Sequence, residues 1–192
     1  MKFFPATEST LSAKHLARVL KETYGLSATT KVRLIRTGMN HLYQVSDHEI
    51  KYVYRIYNHQ WRSKTEIKEE LRLLNHLKHA GIAISFPIIG QHGNYIEEYN
   101  AIEGKRYGVL FSFLSGKKNP YFTVESSYAV GELMAKIHEL TQDFTLDRIN
   151  YDAARLFQTS LERTKLFFEE PSEEISFLED TSTYLNKIYT QV

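Results

Sequence analysis

One carboxylate in this sequence sits where a carboxylate is expensive. Laid on a helical wheel at about 100° per residue, residues 67–77 gather Ile67, Leu71, Leu74 and Leu77 into one apolar arc, and Glu70 falls inside it. Its neighbour Glu69 points to the opposite side. A charge on the buried face of a helix is costly unless a cation or hydrogen-bond donor meets it. A candidate cation precedes it in a run of period two, KYVYRIY, where Val53, Arg55 and Tyr57 share one face and Tyr52, Tyr54 and Ile56 the other. Paired with Glu70, Arg55 would hold a planar positive fork in a fixed place, suited to phosphate oxygens. Unpaired, Arg55 is the solvated member of an alternating strand and Glu70 an edge residue reaching water. Both readings are open at the level of the residues.

A second candidate lies upstream. Thr37-Gly38-Met39-Asn40 joins two strand-like runs, and a glycine there permits a tight turn whose backbone N–H groups face a bound phosphate. An ordinary hairpin turn accounts for the same residues, and it is the place of Gly38 and Asn40 relative to Arg55 that favours the phosphate role. No GxxxxGK[ST] loop occurs, which excludes a P-loop. His138-Glu139 and His76-Leu77-Lys78-His79 lack metalloenzyme spacing such as HExxH.

The elements that must position these groups follow from periodicity. Residues 11–24 carry Leu16, Val19, Leu20 and Tyr24 at helical spacing, with Gly25 as a stop. From about 30 to 57 three strand-like runs, KVRLIR, HLYQVS and KYVYRIY, alternate with short turns. A helix follows in WRSKTEIKEELRLLNHLKHAG, where Ser63 and Glu66 form a capping box and Gly81 is a stop. Strand-like runs at 95–99 and 107–114 come next, with turn signals at Gly93-Asn94 and Glu103-Gly104-Lys105. Beyond Ser115-Gly116 the pattern is helical only, over 124–140, roughly 152–168 and roughly 174–190. The expected fold class is α+β, a small antiparallel sheet with one inserted helix followed by a helical lobe, the two meeting near 112–118.

The pieces together resemble a known family. LIRTGMNHLYQVS, KYVYRIYNHQWRS, EIKEELRLLNHL and VLFSFLSGK are similar to the nucleotide-covering hairpin, third strand, helix and hinge of the aminoglycoside phosphotransferase and choline kinase superfamily, particularly its homoserine-kinase-like members. GELMAKIHEL resembles the first long helix of that family's C-terminal lobe. The resemblance implies a protein-kinase-like fold with a five-stranded N-lobe and hinge over 1–114 and an incomplete helical C-lobe over 115–192. It implies ATP-dependent phosphorylation of a hydroxyl on a small metabolite or aminoglycoside-like substrate, with Mg²⁺. Gly38 and Asn40 would lie over the phosphates, Arg55 would hold the place more often taken by lysine, and Glu70 would be its ion-pair partner. The backbone of Phe111, Ser112, Phe113 and Leu114 would meet the adenine.

The family's His-Gly-Asp-type loop, asparagine and metal-binding aspartate have no counterpart before Val192. His92-Gly93-Asn94 precedes the hinge, in a turn, with asparagine where a base is needed. The expectation is therefore no catalytic residue and no metal ligand within these residues, Mg²⁺ being held by a segment that follows, and negligible transfer by this chain alone. The alternative is a non-catalytic nucleotide-binding or protein-interaction module. Leu156, Phe157, Leu161, Phe167 and Phe168, and later Ile175, Leu178, Leu185 and Ile188, need apolar partners, so self-association is expected if nothing covers them.

Composition bounds the rest. With 192 residues, 42% of them hydrophobic, the chain can build a real core. The 24 Lys and Arg against 23 Asp and Glu leave a formal charge of +1, too little to recruit nucleic acid or an anionic membrane globally. Lys31 and Arg33 share a strand face with residue 35 while Arg36 points away, an ordinary solvated pattern. Of the 13 Tyr and 11 Phe, those in the strand-like runs read as sheet packing. With no cysteine there is neither disulfide framework nor thiolate chemistry. No apolar run reaches membrane-spanning length, and cytoplasm is the expected compartment.

Overall fold

The computed structural model describes residues 8–116, 121–168 and 172–189. Its elements run α1 (Ala13–Tyr24), β1 (Lys31–Arg36), β2 (Asn40–Asp47), β3 (Ile50–Tyr57), α2 (Lys64–His79), β4 (Glu97–Ala101), β5 (Gly104–Ser112) and α3 (Val124–Thr141). A π-helical stretch (Ala154–Thr159), α4 (Ser160–Lys165) and α5 (Glu173–Tyr189) follow. The five strands form one antiparallel sheet in the order β1-β2-β3-β5-β4. This is the α+β arrangement the periodicity predicts.

Each face of the sheet is closed by one helix, and the alternation within β3 decides which side chains go where. Tyr54 and Ile56 pack with Tyr43, Val45 and Leu110 against Leu16 and Leu20 of α1. Tyr57, Val109 and Phe111 pack on the opposite face against Ile67 and Leu71 of α2. Full burial of each such side chain contributes about 1.5–3 kcal/mol before the entropic cost of ordering. Helix α1 ends where its glycine allows, with Gly25 in the left-handed region at φ 65° and its N–H on the Lys21 carbonyl. Helix α2 begins with the anticipated capping box: Ser63 Oγ accepts from the Glu66 N–H at 3.1 Å, and Glu66 Oε2 accepts from the Ser63 N–H at 2.9 Å.

Several boundaries differ from the sequence reading. The last hairpin turns at Ile102-Glu103, Ala101 pairing with Gly104, so β5 starts three residues before Tyr107 and stops at Ser112. Phe113 and Leu114 lie beyond the strand. The helix read over about 152–168 winds as a π-helix before it becomes α; an apolar pattern over six residues does not separate the two windings.

Contacts divide the chain into two units, residues 1–147 and 148–192, whereas the sequence places the lobe boundary at 114/115. The difference has a local cause within the first unit: the end of α3 and the segment after it bond to α2. His76 Nε2 lies 2.9 Å from the Leu140 carbonyl, its ring stacks on Phe144, and the Asp147 N–H donates to Glu69 over 3.1 Å. Within the second unit Phe157 meets the Tyr189 ring edge-on, Lys165 pairs with Glu179 at 2.7 Å, and Ile175 is buried. No helix among the described residues is long and apolar enough to cross a membrane.

Candidate functional site

Arg55 lies on the central strand β3, between Leu42 of β2 and Val109 of β5, on the face that α2 covers. Its Nη1 is 2.5 Å from Oε1 of Glu70. The other carboxylate oxygen accepts from the Tyr57 hydroxyl at 3.1 Å. The guanidinium sits 4.7 Å from the Phe111 ring centroid, a cation over an aromatic face. Roughly a third of the Arg55 side chain and a quarter of Glu70 remain accessible, so the fork is held from one side and open on another. Burial works against the Arg55 charge, but Tyr57 and Glu70 outweigh it and hold the guanidinium above its usual value. Burial also pushes the Tyr57 phenol up, and the Glu70 charge adds to it, so the hydroxyl stays a donor.

The β1–β2 turn is anchored from β3. Gly38 has φ 147°, a backbone conformation side chains rarely adopt, and its carbonyl accepts from Asn58 Nδ2 at 2.8 Å. Asn58 Oδ1 in turn accepts from Arg106 Nη2 at 2.5 Å, and Arg106 also donates to the Tyr57 carbonyl at 3.1 Å and to the Ser9 carbonyl at 2.5 Å. Arg106 has no exposed surface. Asn58, the residue that follows β3, thus holds the glycine turn and is itself held by Arg106 of β5. Asn40 stands opposite Tyr57 in the β2–β3 register, hence on the Arg55 face, and its buried Oδ1 has no hydrogen-bond partner among the described residues.

The hinge residues separate into two kinds. Phe111 is buried in the α2-side core. Ser112 gives its N–H to Phe86 at 2.9 Å, accepts the Phe86 N–H on Oγ at 3.0 Å and accepts Ser85 Oγ on its carbonyl at 2.6 Å. Its backbone donor is committed. Phe113 and Leu114 are more than two-fifths exposed and lie outside the sheet ladder.

Sequence reasoning brings Gly38, Asn40, Arg55 and Glu70 to notice; the structure pairs Arg55 with Glu70 and puts Asn40 on the Arg55 face two positions along, whereas Gly38 is tied to Asn58 rather than to the pair. Sequence reasoning misses Tyr57 as the second donor to Glu70, although Tyr57 shares the Arg55 face. It also misses Arg106, because a strand read as starting at Tyr107 excludes the cation two positions before Gly108. His92-Gly93-Asn94 forms a turn, with the Gly93 N–H on the Gly90 carbonyl at 2.9 Å. Among the described residues no group of three or more His, Asp or Glu side chains could hold a metal ion.

No family model matches this chain. Among curated proteins it is 29% identical over 192 residues to the uncharacterized protein sll1119 of Synechocystis sp., covering 98% of this chain and 53% of that one. It is 31% identical over 142 residues to an uncharacterized protein of Deinococcus radiodurans, covering 74% of this chain and 41% of the other. The chain thus spans about half the length of the curated relatives it matches. Among solved structures it superposes on a microcompartment-associated aminopropanol kinase with TM-score 0.62 at 21% identity, over 74% of this chain and 46% of that one. The fold is kinase-like. A spectinomycin phosphotransferase bound to ADP and spectinomycin matches with TM-score 0.56 at 17% identity, over 95% and 57% of the two chains. An amicoumacin kinase in complex with AMP-PNP, Ca²⁺ and Ami matches with TM-score 0.55 at 17% identity, over 84% and 55%. The neighbours are aminoglycoside phosphotransferases and small-molecule kinases, and the kinase-like sheet with its inserted α2 is what this chain has in common with them.

Proposed function

We propose that this chain is the nucleotide-binding part of an ATP-dependent phosphotransferase that phosphorylates a hydroxyl of a small molecule. The observation that carries the reading is the Arg55–Glu70 pair, with Arg55 open on one side, on a kinase-like sheet. The nucleotide fits the residues present. Arg55 offers an oriented fork to phosphate oxygens, and Glu70 with Tyr57 keeps that fork from swinging. The Gly38 turn covers the phosphates with its backbone. Asn40 can turn its amide toward them without breaking any bond at Oδ1. For adenine, the free edge of the hinge narrows to Phe113 and Leu114, with Phe111 and Ser112 fixing the strand end that precedes them.

The lobe that does this extends over 1–114, with 115–192 as the start of the helical lobe. No cluster among the described residues fits Mg²⁺, and its ligands are expected outside them. Positioning without a base or metal site binds nucleotide but does not supply the electrostatic stabilisation that phosphoryl transfer needs. Residues 1–192 by themselves are thus a binding unit, located in the cytoplasm on this reading.

The test is calorimetric titration of the purified chain with ATP, alongside Glu70→Ala. Removing Glu70 frees Arg55 to rotate and should weaken ATP by about tenfold, roughly the 1.4 kcal/mol of one well-oriented charged contact. An unchanged affinity would remove the pair from the account. Robust phosphorylation of an alcohol by the chain alone would show that one of its own residues is the base.

A further inference from the structure

Helix α2 has a second functional-looking face. With Lys64 as origin and about 100° per residue, Leu77, Glu70, Leu74, Ile67 and Leu71 lie in an arc of roughly 120° that Lys78 of the last turn also enters, and Lys64, Asn75, Lys68 and Arg72, with His79, lie in the next 80° or so. The first arc faces Arg55 and the core. The second forms one wall of a cavity of about 810 Å³, with Leu71 at its base and the segment Gly93–Glu98 as the opposite wall. That volume is within the range of small-molecule sites, about 300–1,000 Å³.

The charges in it are unequally spoken for. Lys64 is 2.6 Å from Glu98, which also takes Lys105 at 2.8 Å. Arg72 is 2.7 Å from Glu69. Lys68, between them on the same face, has no ion-pair or hydrogen-bond partner among the described residues. Glu97 does not compensate it. Alternation along β4 puts the Glu97 side chain with Tyr99 on the α1 face, where burial chiefly, with the Glu97 charge adding to it, pushes the Tyr24 and Tyr99 phenols up. The cavity therefore presents one unpaired cation at the centre of a basic wall, amide groups from Asn75 and Asn94, and an apolar base and far wall from Leu71, Tyr95 and Ile96.

We propose that this cavity binds a small organic anion with a flat apolar body, an aromatic carboxylate, its carboxylate on Lys68 and its ring against Tyr95 and Ile96. The ring removes apolar surface from water while the carboxylate meets a cation that gives up no existing partner, which is the combination that makes such a contact favourable. The site is separate from the Arg55 face, and the inference does not depend on nucleotide binding.

The experiment is a fluorescence titration of the whole chain with 2-naphthoate, its uncharged analogue 2-naphthamide, and inorganic phosphate as a displacer. Saturable naphthoate binding is expected, about tenfold tighter than naphthamide and not displaced by phosphate at comparable concentration. Lys68→Ala should weaken naphthoate about tenfold while leaving naphthamide unchanged, and Asn75→Trp, which fills the cavity, should abolish both. Because Lys68 is exposed, neither its loss nor its replacement threatens the fold. Equal affinity for the charged and uncharged ligands, displacement by phosphate, or naphthoate binding untouched by Lys68→Ala would each overturn the proposal. Loss of naphthoate binding in Arg55→Lys with retention in Lys68→Ala would place the ligand at the nucleotide site and overturn it too.

Discussion

Glu70 divides its carboxylate between two residues of β3, Oε1 lying 2.5 Å from Arg55 Nη1 and Oε2 accepting the Tyr57 hydroxyl at 3.1 Å. Tyr57 and Arg55 are two apart on one strand, so their side chains share a face and reach the same helix position. The second contact matters because a carboxylate held at one oxygen alone can still rotate. Tyr57→Phe keeps the ring in the core and removes the hydroxyl, which donates to Glu70 and also accepts from Arg55 Nη1 at 3.4 Å. It should cost about 1 kcal/mol of stability and weaken ATP severalfold, less than Glu70→Ala does. Urea midpoints and calorimetric titration of the single and double variants check this. If Tyr57→Phe has the same effect on ATP with Glu70 present as with Glu70→Ala, the hydroxyl does not act through Glu70.

Arg106 tests the support beneath the turn. It is wholly buried and donates to the Tyr57 and Ser9 carbonyls and to Asn58, with Glu103 3.4 Å away. Truncation to Ala leaves those acceptors and the Glu103 charge without it, and should destabilise the chain by about 3–5 kcal/mol. Arg106→Lys keeps the charge but has no planar fork for several diverging acceptors, and should lose less stability while still releasing Asn58. Denaturant midpoints give the first effect. The second reads out as faster amide exchange at Gly38 and Met39 in the Lys variant. Protection there equal to the parent's would show that the turn does not depend on this chain of bonds.

What the sequence could show was local. The capping box of Ser63 and Glu66, the Gly25 stop and the two faces of β3 follow from spacings of two to four residues, and each stands in the structure as read. The Arg55–Glu70 pairing was legible for the same reason, since both residues are out of phase with water on elements whose periods are plain. The bonds from Asn58 to Gly38 and from Ser112 to Phe86 join positions about twenty and twenty-six apart. Nothing in the composition of a turn or a strand end announces its tertiary partner. Helix α3 shows the opposite limit: its pattern and its Thr123–Ser126 capping box give the helix, yet none of its residues is buried. Periodicity reveals an apolar face and is silent about what lies against it.

Acid should weaken the fold partly through Glu98. Hydrogen bonds from Lys105 and Lys64 draw its carboxyl from 4.5 down to about 2. A folded value below the unfolded one gives stability that is fully present above about pH 4.5 and is lost as the pH falls toward 2. Glu98→Gln should make the difference in urea midpoint between about pH 6 and about pH 3 smaller than in the parent. Asp47, drawn down by Ser27 and Thr30, shifts in the same direction, so the fall will shrink rather than vanish. Added salt should shrink it further, because the pairs are at the surface. A parent and variant with identical pH dependence would show that Lys64 and Lys105 do not hold Glu98 in solution.

Gly38 separates a conformational requirement from a phosphate-binding one. At φ 147° a side chain is strained, yet a Cβ built there meets no atom within 4 Å. Gly38→Ala therefore adds no clash, and its cost is the backbone strain of about 1–3 kcal/mol plus whatever the turn contributes to ATP. Gly93 supplies the control, since it has φ 78° and equally open surroundings but lies in the turn before β4. Gly93→Ala should lower the urea midpoint by a comparable amount and leave ATP affinity as it was. Gly38→Ala should do both, weakening ATP at least severalfold if the turn covers the phosphates as proposed, because relaxing the strain moves its backbone N–H groups. Equal ATP affinity in the two variants would make the β1–β2 turn a plain hairpin and take Gly38 out of the nucleotide site.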